Sequence, residues 1–113
     1  MKINLNNKIF KALSNSENGE VSNETIFHYK QSENIIWADY SGGEIVKGNL
    51  TGKYIEENKI QFVYQHINKN EEIMTGKCTS KIEIDKNNKI NLTENWQWTC
   101  KDFSKGKSKL IEK

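Results

Sequence analysis

Aromatic and polar residues alternate in the second half of the chain, and their types and spacing suit ligand binding. Tyr64-x-His66 and Glu94-x-Trp96-x-Trp98 place large rings and titratable groups at every second position. On a β-strand, residues with this spacing share one face. A concave aromatic wall with a few convergent polar groups is typical of a small-molecule pocket. The pattern therefore predicts a ligand site made of Tyr40, Phe62, Tyr64, His66, Glu94, Trp96 and Trp98.

The same residues do not indicate a catalytic site or a metal site. The sequence contains no Gly-x-Ser-x-Gly, and Ser41 precedes two glycines in what reads as a hairpin turn. The two histidines and two cysteines lack the spacing of zinc knuckles or fingers. We expect His66 and Glu94 to lie several residues apart along their strands, too far for a direct dyad. We therefore predict no catalytic residue, no metal and no cofactor.

The elements that must position these residues are strands. Apolar and polar residues alternate with period two almost throughout, proline is absent, and the intervening gaps are short and rich in Asn, Asp and Gly. The polar stretch from Asn15 to Asn23 is the exception and predicts a longer loop. The alternation predicts eight strands: Lys8–Ser14, Thr25–Gln31, Ile35–Tyr40, Glu44–Tyr54, Lys59–Ile67, Ile73–Ile84, Lys89–Thr99 and Ser108–Glu112.

Short hairpins in sequence order predict the fold class. The chain of 113 residues is long enough for one domain, spanning 1–113. Eight strands with one apolar face hide their edges most economically by closing on themselves. We predict an all-β, antiparallel, up-and-down meander that closes into a small calycin-like or lipocalin-like barrel. An open or flattened β-sandwich is the alternative.

The centres of the turns give a register and hence an inside and an outside. This register places Glu44 and Val46 inside the barrel, and Trp37 and Ile45 outside. It aligns Leu50, Tyr64, Gly76 and Trp98 in one lateral row, and Gly52, Phe62, Cys78 and Trp96 in the next. Glycines beside large rings are how a narrow barrel fills its interior.

The predicted exposure of Trp37 bears on partners. A tryptophan on the outer face beside Ile35 and Ile45 needs a cover. A homodimer contact through the Trp37 face would supply one.

The basic residues argue against polyanionic partners. All 17 are lysines, interspersed with 15 acidic residues, so the net charge is only +2. Without arginine the chain lacks the planar bidentate group that reads phosphates and guanine edges. We therefore expect no nucleic-acid partner and no membrane partner.

The cellular compartment can be predicted from what the chain lacks. The longest apolar run, Ile35 to Ala38, is too short for a signal-peptide core or a transmembrane segment. In the predicted register Cys78 and Cys100 are four positions apart along the strands, about 13 Å, whereas a disulfide needs Cα atoms within about 7 Å. We predict free thiols and a cytoplasmic protein.

Several spaced segments form a distinctive pattern: Phe27-His28-Tyr29, Trp37-Ala38-Asp39-Tyr40-Ser41-Gly42-Gly43, Tyr64-Gln65-His66, Thr75-Gly76-Lys77-Cys78 and Glu94-Asn95-Trp96-Gln97-Trp98-Thr99. Together these segments resemble a family of short bacterial proteins labelled N-acetylglutamate synthase. The similarity spans about residues 8 to 112, and the resemblance implies a bacterial protein with that acetyltransferase activity.

Three functions therefore remain open at the level of sequence. The first is a barrel that binds a small apolar or aromatic molecule in its interior. The second is a structural or protein-interaction module, without enzymatic activity, whose rings fill the core completely. The third is the synthase activity that the resemblance implies.

Overall fold

Eight antiparallel strands and no helix are found within residues 3–113. The computed structural model describes residues 3–113. None of the described residues forms a helix long and apolar enough to cross a membrane. The strands are β1 Lys8–Asn15, β2 Ile26–Ser32, β3 Ile35–Gly42, β4 Ile45–Glu56, β5 Lys59–Asn68, β6 Ile73–Ile84, β7 Ile90–Trp98 and β8 Lys105–Glu112.

The sheet closes into a barrel in sequence order. Each strand pairs with the next one along the chain, and β1 pairs with β8, where Phe10 lies opposite Glu112. Closure satisfies the backbone groups of both edge strands, which an open sheet would leave unpaired. The prediction of an up-and-down barrel is confirmed, and the sandwich alternative is wrong.

The predicted strands match the observed ones closely except at β8. This strand begins at Lys105 rather than Ser108, and Lys105 pairs with Gln97 of β7. The extra segment consists of Lys105, Gly106 and Lys107, which give it no apolar face. Period-two hydrophobicity could not reveal it.

The predicted lateral rows are present across β4 to β7. Leu50, Tyr64, Gly76 and Trp98 are paired in turn, and so are Gly52, Phe62, Cys78 and Trp96. A Cβ atom at Gly76 would overlap the ring of Tyr64. The large and small residues of these rows therefore complement one another in the interior.

The predicted facing of the first residues of β4 is wrong. Ile45 is 2% exposed and Val46 is 58% exposed, the reverse of the prediction. The register between β4 and β5 shifts between Ile45 and Lys47, so one extra residue enters β4 there. A bulge of this kind reverses which side chain points inward. Glu44, also predicted inside, lies in the preceding turn and is exposed.

The segment before β1 closes one end of the barrel. Leu5 is completely buried, and its backbone N–H donates to Oε1 of Gln31 at 2.9 Å. The hydroxyl of Tyr54 donates to the carbonyl oxygen of Ile3. This end is therefore sealed by apolar packing and local hydrogen bonds.

A substitution at Gly52 tests whether the interior is as tightly packed as the lateral rows indicate. A Cβ atom there would overlap the carbonyl oxygen of Gln61 and the Cβ of Phe62, and the backbone cannot move aside as a flexible side chain could. We expect Gly52→Ala to lower the free energy of unfolding by about 1–3 kcal/mol, as overpacking does. Urea unfolding measures this, with the exposed neighbour Thr51→Ser as the control. Equal stability of the two variants would contradict the packing argument.

Candidate functional site

All seven residues of the predicted site line one cavity inside the barrel. The cavity has a volume of about 40 Å³ and lies towards the end opposite Leu5. Its other lining residues are Asn15, Val21, Phe27, Leu50, Cys78 and Ser108. The structure therefore brings together the residues that the sequence singled out, while their role in binding stays a prediction.

The aromatic rings form walls that meet at steep angles. The ring centroids of Trp96 and Trp98 are 5.5 Å apart, with the ring planes inclined by 62°. Tyr64 meets Trp98 at 63°, with centroids 5.9 Å apart. Edge-to-face pairs of this kind are favourable arrangements of the ring quadrupoles. The result is a box of ring faces and edges around a small space.

The loop between β1 and β2, residues 16–25, covers the open end of this box. The indole N–H of Trp98 donates to the carbonyl oxygen of Asn18 at 3.0 Å, and that of Trp96 donates to Oδ1 of Asn15 at 3.1 Å. The Asn15 amide donates in turn to the Val21 carbonyl oxygen at 2.9 Å. Trp98 is thus hydrogen-bonded to the loop that covers the cavity. Trp96 is hydrogen-bonded to Asn15, which anchors that loop through Val21.

His66 joins the same loop to the barrel wall. Its Nε2 lies 2.7 Å from Oε1 of Glu20, and its Nδ1 lies 3.0 Å from the hydroxyl of Tyr40. Burial lowers the pKa of His66, although the hydrogen bond to Glu20 acts in the opposite direction. A neutral ring donates from Nε2 to the carboxylate and accepts at Nδ1 from Tyr40. The Asn68 amide donates to the other oxygen of Glu20 at 2.9 Å.

Glu94 lies deeper, in the row below Trp96. It is 6% exposed and pairs across the sheet with Ser80 of β6 and Ser108 of β8. The Ser108 hydroxyl donates to Oε1 at 2.9 Å, whereas Oε2 has no hydrogen-bond partner. Burial raises the pKa of Glu94 to about 7, despite the opposing effect of the Ser108 hydrogen bond.

Sequence reasoning missed the residues that complete these hydrogen bonds. Glu20 and Val21 lie in the predicted long loop, where no periodicity assigns a facing. The sequence predicts Ser108 as the first residue of the last strand and Asn15 as a loop residue, whereas Ser108 lies within β8 and Asn15 ends β1. Only the register of β7 against β8 could have placed Ser108 beside Glu94.

Metal binding and disulfide chemistry gain no geometric support. Within residues 3–113, no group of three or more His, Cys, Asp or Glu side chains is arranged to hold a metal ion. Cys78 and Cys100 are both free thiols. Burial raises the pKa of the Cys78 thiol, which disfavours the reactive thiolate.

The relationship to known proteins agrees with the barrel. The family model described as "Avidin-like protein" matches residues 3–113. The chain belongs to this family. Avidin-like proteins form eight-stranded barrels. No curated protein and no solved structure matches the chain.

The avidin-like match overturns the resemblance to the N-acetylglutamate synthase family. The segments behind that resemblance are pieces of strands and turns, such as Phe27-His28-Tyr29 in β2 and Tyr64-Gln65-His66 in β5. Period-two alternation of aromatic and polar residues is common to many small barrels. These segments therefore do not support the synthase activity.

The titration of Glu94 predicts that the free energy of unfolding falls as the pH rises. Its folded pKa of about 7 lies above the ordinary value of 4.5, so the folded state retains a proton that the unfolded state has lost. This contribution to stability is complete below about pH 4.5 and is lost as the pH rises through 7, by about 3 kcal/mol. Glu94→Gln should therefore remove this decline in the free energy of unfolding.

Urea unfolding from pH 4.5 to 8.5 measures this decline. Glu83→Gln, at an exposed position of β6, is the matched control and should retain the wild-type profile. The lowered pKa of His66 acts in the opposite sense, reducing stability below about pH 6.5, and should be common to all three proteins. An unchanged decline in Glu94→Gln would contradict the assignment.

Proposed function

We propose that this avidin-like barrel binds a small apolar or aromatic molecule in its interior. The molecule would lie against Phe62, Tyr64, Trp96 and Trp98, with Tyr40, His66 and Glu94 orienting its polar groups. Avidin-like barrels typically bind small molecules. The observation that carries the proposal is that all seven side chains line a single cavity with a largely apolar surface.

The volume of the cavity sets a condition on binding. About 40 Å³ of accessible space holds a few water molecules, since one needs about 10–15 Å³. Ligand pockets are usually about 300–1,000 Å³. A ligand therefore needs the 16–25 loop to withdraw, and Val21 with it, because Val21 is the loop side chain that lines the cavity.

The contacts of the loop are compatible with such a movement. Hydrogen bonds from Trp96, Trp98, His66 and Asn68 join the barrel to the loop or to Asn15, which anchors it. Glu17, Asn18, Asn23 and Glu24 are exposed. Segments with few buried apolar contacts open at lower free energy than the core.

A barrel with a filled core is the competing function. The small volume of the cavity favours it, because interior side chains then account for nearly all of the space. In that case the protein would act through its outer surface. Ligand binding separates the two functions.

Val21→Ala offers a direct test of ligand binding. Fatty acids, aromatic metabolites and biotin, which avidin-like proteins bind, are titrated against the protein while tryptophan fluorescence and melting temperature are recorded. We expect a saturable fluorescence change with one class and a rise in melting temperature, because a ligand of the folded state stabilises it. Val21→Ala should bind that class more tightly, since it enlarges the covered space.

Val46→Ala is the matched control for this test. It removes the same atoms from a valine that is 58% exposed on the outer face and should bind as the wild type does. No response of the wild type or of Val21→Ala to any class would contradict the proposal and favour the filled core.

We also propose that two copies associate through the outer face around Trp37. Avidin-like proteins often form oligomers. Trp37 is 40% exposed and lies in one outward-facing row with Thr51 and Val63, which is itself exposed. Ile35 is exposed beside Trp37 on the same strand. An apolar patch on adjacent strands suits an isologous contact.

Sedimentation velocity tests the dimer. We expect a dimer for the wild type and a monomer for Trp37→Lys, because a charged side chain opposes burial of the patch. Val46→Lys places the same charge on an exposed valine outside this row and should remain dimeric. A monomeric wild type at micromolar concentration would contradict the proposal.

A further inference from the structure

One buried oxygen at the floor of the cavity has no donor. Glu94 lines the cavity and is 6% exposed. Ser108 satisfies Oε1, and Oε2 has no hydrogen-bond partner. A buried carboxylate oxygen without a donor is costly, because it loses its hydration and gains nothing in exchange. Unpartnered polar atoms of this kind call for a specific explanation.

Polar atoms near Glu94 are also unpartnered. The hydroxyl of Ser80, the residue opposite Glu94 on β6, has no hydrogen-bond partner. The hydroxyl of Tyr29 on β2 is likewise buried without one. The Glu94 charge is felt at Tyr29, because it contributes to raising the pKa of that phenol. Oε2 of Glu94 thus lines the cavity without a donor, and two further buried hydroxyl groups beside Glu94 lack a hydrogen-bond partner.

The charges around the cavity all favour a cation. No lysine is among its lining residues. Glu20 stands at the mouth, on the loop, and Glu94 at the floor. His66, the lining residue that could oppose them, has a lowered pKa because it is buried, and is neutral at pH 7. The lining of the cavity thus carries the Glu94 carboxyl group and no cationic side chain, and a second carboxylate, that of Glu20, lies at the mouth beside His66.

The walls suit the same kind of ligand. Trp96, Trp98 and Tyr64 line the cavity and meet at angles of about 62–63°, so their ring planes surround the space in different orientations. An ammonium group over such faces is attracted by the ring quadrupoles, and several rings at steep angles are how proteins enclose organic cations. The indole N–H groups of both tryptophans already donate to other residues. The two indoles therefore offer a ligand their aromatic rings but no free N–H donor.

We infer that the ligand is a compact organic cation whose protonated amine donates to Oε2 of Glu94 while its carbon frame lies against Trp96 and Trp98. This rests on the proposed function and specifies the ligand for that site. The amine would supply the missing donor, and Ser80 or Tyr29 would accept a second N–H.

The titration of Glu94 predicts that the affinity for an organic cation depends on pH. With a pKa of about 7, most of the carboxyl population is protonated at pH 6, and binding of an ammonium group would release that proton. Affinity should therefore rise between pH 6 and pH 8. The titratable groups that face Glu94 are Tyr29, Tyr40, Tyr64 and Cys78, and all stay neutral in this range because burial raises each pKa.

Benzylamine and benzyl alcohol form a matched pair of probes. They share the ring and differ in whether an ammonium or a hydroxyl group reaches Glu94. At pH 8 we expect benzylamine to bind at least about tenfold more tightly than benzyl alcohol, as calorimetry measures, because a hydrogen bond to a buried charged group contributes more than a neutral one. Glu94→Gln should lower the affinity for benzylamine by at least about tenfold and leave the affinity for benzyl alcohol unchanged.

Two further measurements identify the group that recognises the amine. Benzyltrimethylammonium keeps the charge but has no N–H, so it should bind more weakly than benzylamine. Glu83→Gln, which changes an exposed carboxylate on the outer face, should bind both probes as the wild type does. Circular dichroism and urea unfolding of Glu94→Gln establish that the variant is folded before binding is compared.

Each outcome bears on a different claim. Equal affinity for benzyl alcohol and benzylamine would overturn the cationic ligand and leave the proposed function standing. Equal affinity of wild type and Glu94→Gln for benzylamine, or of benzyltrimethylammonium and benzylamine for the wild type, would overturn the hydrogen bond to Glu94. Failure of every benzyl probe to bind wild type and Val21→Ala would overturn the inference, whereas the proposed function would fall only if fatty acids, aromatic metabolites and biotin also failed to bind.

Discussion

Closure of the sheet between β1 and β8 is the constraint on which the rest of the structure depends. Once the eight strands form a ring, alternate residues of every strand must share a narrow interior. Large side chains fit there only where their neighbours are small, as Tyr64 does beside Gly76. Closure also leaves just two ways into the interior, at the ends of the barrel.

Different kinds of interaction predominate at the two ends of the barrel. At one end Leu5 is buried completely and seals the barrel by apolar packing. At the other end the 16–25 loop is joined to the barrel mainly by hydrogen bonds that involve Glu20 and Asn18. Apolar burial is lost all at once when a segment lifts, whereas exposed loop groups can exchange protein partners for water. The cavity therefore lies beneath the end that is closed mainly by polar contacts.

The framework and the inward-facing residues followed from the sequence because both depend on local rules. Period-two alternation located all eight strands, and the turn centres aligned the rows that contain Trp96 and Trp98. The bulge that exposes Val46 was missed, because one inserted residue leaves no hydrophobic signal while reversing the facing. The family predicted from the resemblance was also wrong, because short segments of alternating aromatic and polar residues are not specific to one family.

The partners of the site residues could not be predicted, for a different reason. Glu20 and His66 are 46 positions apart, and Glu20 lies in a loop without periodicity. The register of neighbouring strands gives no information about where such a loop folds back. The missing partner of Glu94 was equally hidden, because an unfilled hydrogen bond depends on every side chain around it.

The hydrogen bond from Trp98 to the 16–25 loop affects how long a complex would last. A molecule beneath the 16–25 loop leaves by the route through which it entered, so both steps wait for the same opening of the loop. The contact of Trp98 with Asn18 ties that opening to the wall that would touch the molecule. Residence time would then be set by the loop as much as by the contacts inside, and a weakly held molecule could still exchange slowly.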